Sequence, residues 1–168
     1  MKIKRKIAIL FLALGMTAFV NAQDKPASPP ATATGKINGA GITINYSSPF
    51  VKGREIWGGL VPFNEVWRAG ANNATTFETS KDITVEGAKL PAGKYSFFVI
   101  PTKTDCTIIF NKVPGQWGAY KYEESQDQLR VKVKQQVSST FTESLVYKIN
   151  KDNVTLSWEK WDIPIKIQ

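Results

Sequence analysis

Arg68 stands between Trp67 and the pair Ala69-Gly70, with Asn72 and Asn73 close behind. A guanidinium is planar, permanently charged and carries five donors. In a shaped loop it either clamps a carboxylate or phosphate, or satisfies loop carbonyls that have no sheet partner. Arg54 adds a second cation to the same stretch, and the two asparagines add amide donors and acceptors. Trp67, with Trp117 and Tyr120 from a later loop, offers rigid aromatic surface for a sugar ring or an apolar ligand. The plainer reading of such tryptophans is that they seal a core or anchor a loop. Arg54, Trp67, Arg68, Asn72, Asn73, Trp117 and Tyr120 are the candidate ligand-binding residues.

The chain contains no histidine and one cysteine. That removes Ser-His-Asp and Cys-His catalysis, imidazole metal ligands and the commonest general base near neutral pH. A zinc or copper site would have carboxylates alone, which are poor ligands for soft metals, and no Asp-rich loop of the EF-hand kind supports calcium. No metal, cofactor or catalytic residue is therefore assigned. Cys106 alternates with Ile108 and Phe110 and reads as a small buried hydrophobe. Carboxylates that might run a hydrolysis are Glu55, Glu65, Glu78, Glu123, Glu124 and Asp127. A glycosidase-like pair needs two of them facing at about 5 to 10 Å. No spacing singles out a pair, and solvated surface is the expectation for most.

Residues 1–22 have the form of a processing leader. A basic start (Lys2, Lys4, Arg5, Lys6) is followed by an apolar run from Ile7 to Val20 and a small-residue exit ending at Ala22. The run is shorter than the ~20 residues a spanning helix needs. The expected product is soluble and periplasmic or secreted, cleaved near Ala22. Without the leader 18 basic residues face 14 acidic ones, a net charge of +4. The excess is dispersed, and its densest piece, Arg130-Val-Lys132-Val-Lys134, has the alternation of a strand with one wet face. It does not read as a nucleic-acid patch.

The elements that must position the candidates are strands. Residues 23–34, rich in Pro, Ala, Ser and Thr, read as a flexible spacer, with one domain over 35–168. Asn38-Gly39 is a hairpin signal, because a type I′ turn needs positive φ at both central positions. Strand-like runs follow at Thr75 to Thr79, Ile83 to Val85, Lys94 to Ile100 and Cys106 to Asn111, and then from Leu129 onward. The run Lys94 to Ile100 is apolar on both faces near its end, as in a strand covered on two sides. Pro164 marks the last strand as an edge or bulged. Trp158 and Trp161, three apart in a strand, should point to opposite faces. Two segments, Gly53 to Thr76 and Lys112 to Asp127, break the pattern with glycine, proline and aromatics and read as shaped loops. About nine or ten short strands predict an all-β, antiparallel sandwich, jelly-roll-like, or a flattened barrel.

The order GREIWGGLVPFNEVWRAGANNATT, PAGKYSFFVIP, TIIFNK, QWGAYKY behind a leader and a Pro-rich spacer resembles an uncharacterised family of exported bacterial β proteins catalogued as a domain of unknown function. The resemblance covers nearly all of the mature domain. It implies export and a compact β domain and brings no catalytic residues. Within it, Asn73 stands where the family often has glutamate and Cys106 where it often has tryptophan, so a mechanism needing a carboxylate at 73 does not transfer to this chain.

These observations predict a noncatalytic exported domain that binds a small molecule, glycan or envelope partner through the loops at 53–76 and 112–122. Two alternatives stand beside it. One is a carboxylate-dependent hydrolase of carbohydrate or envelope polymer; the other is a structural envelope component joined through the edge strand carrying Pro164.

Overall fold

The computed structural model describes residues 26–168; the leader expected over 1–22 and the first residues of the expected spacer lie outside the described residues. Strand β1 (Pro30–Ile37) turns at Asn38 (φ 49°) and Gly39 (φ 78°) into β2 (Ala40–Ser47). Two consecutive positive φ values make this the expected type I′ hairpin. β1 begins earlier than the expected domain start at Gly35. Residues 30–34 are strand rather than spacer, because each finds a partner on β2, from Pro30 opposite Ser47 to Thr34 opposite Thr43. Proline is tolerated there, since β1 is an edge strand and Pro30 its first residue.

The chain continues through β3 (Thr75–Thr79), β4 (Ile83–Val85), β5 (Ala88–Leu90), β6 (Gly93–Pro101) and β7 (Cys106–Asn111). A 3-10 turn at Glu124–Gln126 leads into β8 (Asp127–Val133), β9 (Gln136–Ile149) and β10 (Asn153–Lys166). Among the described residues the fold is all-β and antiparallel with ten strands. Six of them form one open sheet in the order β1-β2-β3-β6-β7-β8, while β9 with β10 and β4 with β5 form two-stranded ribbons. The large sheet does not close into a barrel, and its order is a meander interrupted only by the β4–β5 ribbon.

The alternation seen in the sequence decides which face is buried. Ile42, Ile44, Phe77, Phe97, Ile108, Phe110, Val131 and Val133 on the inner face of the sheet pack against Leu145, Tyr147, Leu156, Trp158 and Ile163 of the long ribbon in one core. Each large side chain buried there contributes about 1.5 to 3 kcal/mol relative to exposure. β6 is covered on its second face as well. Phe98 and Ile109 form a smaller cluster with Ala74, backed by Val66, Ala119 and Tyr122 from the two irregular loops. The second loop and the Val66 and Ala74 parts of the first therefore cover the outside of β6 and β7, while Ile56, Trp57, Val61 and Ala69 of the first loop join the main core.

The ribbon departs from simple alternation at the tryptophans. Glu159 has φ 55° and the β9–β10 register shifts on both sides of it. This irregularity brings Trp158 and Trp161 together: both pack on Trp57, Trp161 stacked at 4.4 Å and Trp158 edge-on at 6.1 Å. The expectation of opposite faces fails here because an irregularity in the strand breaks its period of two. Pro164 follows the last residue paired with β9, Asp162, on a strand that has β9 as its neighbour in that ribbon. Among the described residues no helix is long and apolar enough to cross a membrane.

Candidate functional site

Loop 53–76 is shaped by pairing at three places. Leaving β2, the chain runs beside β9, with Val51 N–H donating to Glu143 O (2.8 Å) and Leu145 N–H to Pro49 O (3.0 Å). It then makes a tight turn in which Gly58 N–H donates to Val61 O and Val61 N–H to Ile56 O, both at 2.9 Å. A side chain at Gly59 is excluded there, since a Cβ would lie 2.6 Å from the Glu55 carbonyl oxygen. Finally Trp67 exchanges both backbone bonds with Val99 (2.8 and 2.9 Å), taking up along the end of β6 the place that β3 holds further back.

Between Trp67 and β3 the chain makes a short excursion, closed by Thr75 N–H donating to Arg68 O at 3.1 Å. Ala69, fully buried, sits in the left-handed region at φ 55°, which costs a residue bearing a Cβ about 1 to 2 kcal/mol. The Ala69 carbonyl is held in place by two donors, Thr75 Oγ1 at 2.9 Å and Tyr147 Oη at 2.8 Å. The Tyr147 phenol is buried, which raises its pKa well above 10.0 and keeps the proton that makes this bond. Tyr147 was not among the candidates. Its place in an alternating strand reads as ordinary core, and nothing local in sequence ties it to a loop 78 residues away.

Arg68 does not act as the brace. Its Nε is buried and has no acceptor among the described residues, and the ion pairs there join Lys89 to Asp82, Lys94 to Glu78, and Arg130 to Glu124 and Asp127. Loop carbonyls near it take other donors: that of Ala69 takes Tyr147 and Thr75, and those of Arg68 and Asn72 take main-chain N–H groups. Arg68 lines a pocket of about 300 Å³ together with Arg54, Trp67, Asn72, Ala71 and Trp158. Trp67 and Trp158 stack at 5.8 Å with planes 14° apart, and Trp57 stands edge-on to both. Trp158 is 1% exposed and its indole N–H also lacks an acceptor among the described residues. Arg54 commits its Nε to Val51 O (3.1 Å) and one terminal nitrogen to Phe50 O (2.5 Å), leaving its charge exposed. No aspartate or glutamate lines this pocket.

The second loop is held by Asn111, fully buried at the end of β7. Its amide nitrogen donates to Glu123 O (3.1 Å) and Asp127 Oδ1 (2.9 Å), and its oxygen accepts from Val113 N–H and Gln116 Nε2 (both 3.1 Å). Tyr122 donates its phenolic proton to Asp127 Oδ2 at 2.5 Å. Burial above all, then that contact with Asp127, pushes the Tyr122 pKa upward. Asp127 is thus a buried structural acceptor, with a side chain 5% exposed, rather than solvated surface as expected for most of the carboxylates. The two loops meet edge to edge: Ala74 N–H donates to Gln116 O (2.9 Å), Gly118 N–H to Asn72 O (3.2 Å), and Asn73 and Trp117 are paired between them.

The candidates accordingly divide. Arg54, Trp67, Arg68 and Asn72 share the 300 Å³ pocket. Asn73 instead lines a separate pocket of about 240 Å³ with Asn45, Tyr46 and Gly115. Trp117 is 64% exposed and Tyr120 83%, and neither lines the pocket of Arg68, so Trp117 does not supply its apolar wall. The aromatic part of the lining is Trp67, backed by Trp158 of β10, whose place in an alternating strand reads as ordinary core. Cys106 is fully buried, as expected, and burial pushes its thiol up to about 12, so it holds its proton and is no thiolate nucleophile.

Residues 28–167 match the family described as "Protein of unknown function (DUF2911)". The chain belongs to this family. The matched span begins two residues before β1 and takes in every strand of the fold. Neither the curated proteins nor the solved structures contain a match to the chain.

Proposed function

We propose that this protein is an exported, noncatalytic binding domain that holds a small molecule, glycan or envelope component in the pocket of Arg68. The observation that carries the reading is the concentration of unused donors in one place. Arg68 and Trp158 line the same pocket, and the Arg68 Nε and the Trp158 indole N–H, both buried, find no acceptor among the described residues. Buried donors without partners cost about 1 to 3 kcal/mol each, more when charged, and a bound acceptor relieves that cost. The stacked indoles back the pocket, Trp67 being half-buried and Trp158 1% exposed. Carboxylate-driven hydrolysis draws no support from a pocket lined by no acid. Export rests on the basic, apolar and small-residue pattern of residues 1–22, and the mass of the released chain tests it: a product beginning at Gln23 is expected.

Binding is tested by titrating neutral and charged sugars, organic acids and cell-wall fragments against the purified exported chain, following intrinsic tryptophan fluorescence and thermal midpoint. Trp67 and Trp158 in the lining make the fluorescence sensitive to occupancy. Ala71→Phe, which fills the pocket from its lining, is expected to abolish any saturable response while the domain stays folded. Saturable binding that survives the plug, or no response to any of the compounds, overturns the reading.

A further inference from the structure

The titratable groups that line the pocket are arginines alone, so its chemistry favours an anion. Arg68 also connects the pocket with the tip of the second loop. A Cβ placed on Gly118 would lie 3.7 Å from Arg68 Nη1 and 2.9 Å from the Tyr120 ring, so the guanidinium and the phenol flank the same point of backbone. Tyr120 and, one residue before Gly118, Trp117 are the two most exposed aromatic side chains among the described large hydrophobics. Exposed aromatics beside a cationic pocket give a ligand two different holds: charge-assisted hydrogen bonds inside and a stacking surface outside. A pocket of about 300 Å³ stands at the small end of ligand sites and suits a single ring.

We propose that the ligand is an acidic glycan, with the carboxylate of one sugar seated against Arg68 in the pocket and a neighbouring sugar ring resting on Tyr120 and Trp117. The inference rests on the binding function argued above and adds the ligand's class and its path across the surface. Carboxylate-bearing sugars fit both holds, since the acid group meets the guanidinium and the C–H face of the adjoining ring meets the aromatics. The Gly118 to Asn72 and Trp117 to Asn73 contacts keep the two holds at a fixed separation, because they join the loops that carry them.

The test uses the purified exported chain and four probes: trigalacturonic acid, its methyl ester, the galacturonic acid monomer, and tri-aspartate. Affinity is read by calorimetry and tryptophan fluorescence at low and at raised salt. Trigalacturonic acid is expected to bind saturably, more weakly as salt rises. Methyl esterification and Arg68→Gln are each expected to weaken it about 10-fold to 100-fold, the range for losing a charge-assisted contact. Trp117→Ala and Tyr120→Ala are expected to weaken the trimer and leave the monomer unchanged. Arg68→Gln must keep its thermal midpoint for the loss to count, and Arg68→Lys, which retains charge without the planar fork, should recover part of it. Equal binding of the methyl ester overturns the anionic ligand while leaving a binding pocket in place. A monomer that binds as tightly as the trimer overturns the aromatic path, and tri-aspartate binding as tightly overturns the glycan. If none of the probes saturates, the proposal falls, and the Ala71→Phe experiment decides separately whether the pocket binds anything.

Discussion

The two irregular loops both mix glycine, proline and aromatics, and they satisfy their polar groups in different ways. Loop 112–127 turns inward. Asn111 spends both donors and its acceptor on the loop, Asp127 takes Tyr122 and Asn111, and Gln116 donates to Asn111 and to Val113 O at 2.8 Å. Loop 53–76 is braced from outside, by Tyr147 of β9 and by main-chain pairing to β6 and β9, and Arg68, unlike Arg54, is left without a partner among the described residues. Irregular backbone has to satisfy its N–H and C=O groups in either way. Where the scaffold performs that task, a loop side chain is released for another use. Asn111 and Asp127 are structural in the second loop, where the Gln116 side-chain oxygen alone is buried without a partner among the described residues. In the first, Arg54 holds Val51 O and Phe50 O and Asn72 reaches Ser47 Oγ (3.3 Å), so Arg68 is the side chain left for recognition.

The sharpest way to break this contrast is Asn111→Ala. It removes the donors to Glu123 and Asp127 and the acceptor for Val113 and Gln116, all in a fully buried place, and should cost about 3 kcal/mol or more in urea denaturation. A cost under about 1 kcal/mol would mean that the loop does not depend on its internal network.

Tyr147→Phe tests the external brace, with an expected loss of about 1 to 2 kcal/mol at neutral pH. It carries a pH signature as well. The folded pKa of Tyr147 lies well above its unfolded value of 10.0, so below pH 10 both states hold the proton and the group adds no pH dependence. Above pH 10 the unfolded chain releases a proton that the folded chain retains. Stability then falls with rising pH, by up to about 1.4 kcal/mol per unit for this group. Stability curves between pH 9 and 11 should be shallower for the phenylalanine variant than for the parent.

Ala69→Gly should act the other way. Glycine adopts φ 55° without the Cβ penalty, and if the excursion is held as described the variant gains about 1 kcal/mol in thermal or urea unfolding. A loss would mean that packing of the buried Cβ outweighs backbone strain. The smallest effect is expected at Arg68 itself. Arg68→Gln should not lower folding stability and should raise it by at most about 1 kcal/mol, because no acceptor among the described residues is lost and an unpartnered buried donor is removed. A loss of about 3 kcal/mol, near 10 °C in midpoint for a domain of this size, would make it a brace after all and remove the contrast between the loops.

Much of this architecture is legible in local chemistry. Asn38-Gly39 makes its hairpin because the positive φ requirement is local, and β6 shows its double coverage in its own apolar run. Pro30 to Thr34 reads as spacer because proline and threonine carry no apolar period, yet an edge position on β2 is enough to order it. The candidate site is legible only in part. Arg68 and Trp67 stand out by type, whereas Trp158 and Tyr147, which complete the pocket and hold the loop, lie in strands whose alternation explains them without reference to any site.

What the sequence by itself determined is the set of strands, the two places where they stop, and the chemistry on hand there: arginines, indoles and amides, with no histidine. Strand period and turn preference are short-range properties, and they survive being read one segment at a time. Only the tertiary structure decided that the irregularity at Glu159 gathers Trp158 and Trp161 onto Trp57, that Tyr147 rather than Arg68 holds the Ala69 carbonyl, and that Asn73 and Trp117 lie outside the pocket. Each of these joins residues far apart in the chain or depends on a backbone irregularity, and a polar group's partner is known only once the whole fold has said which groups remain free.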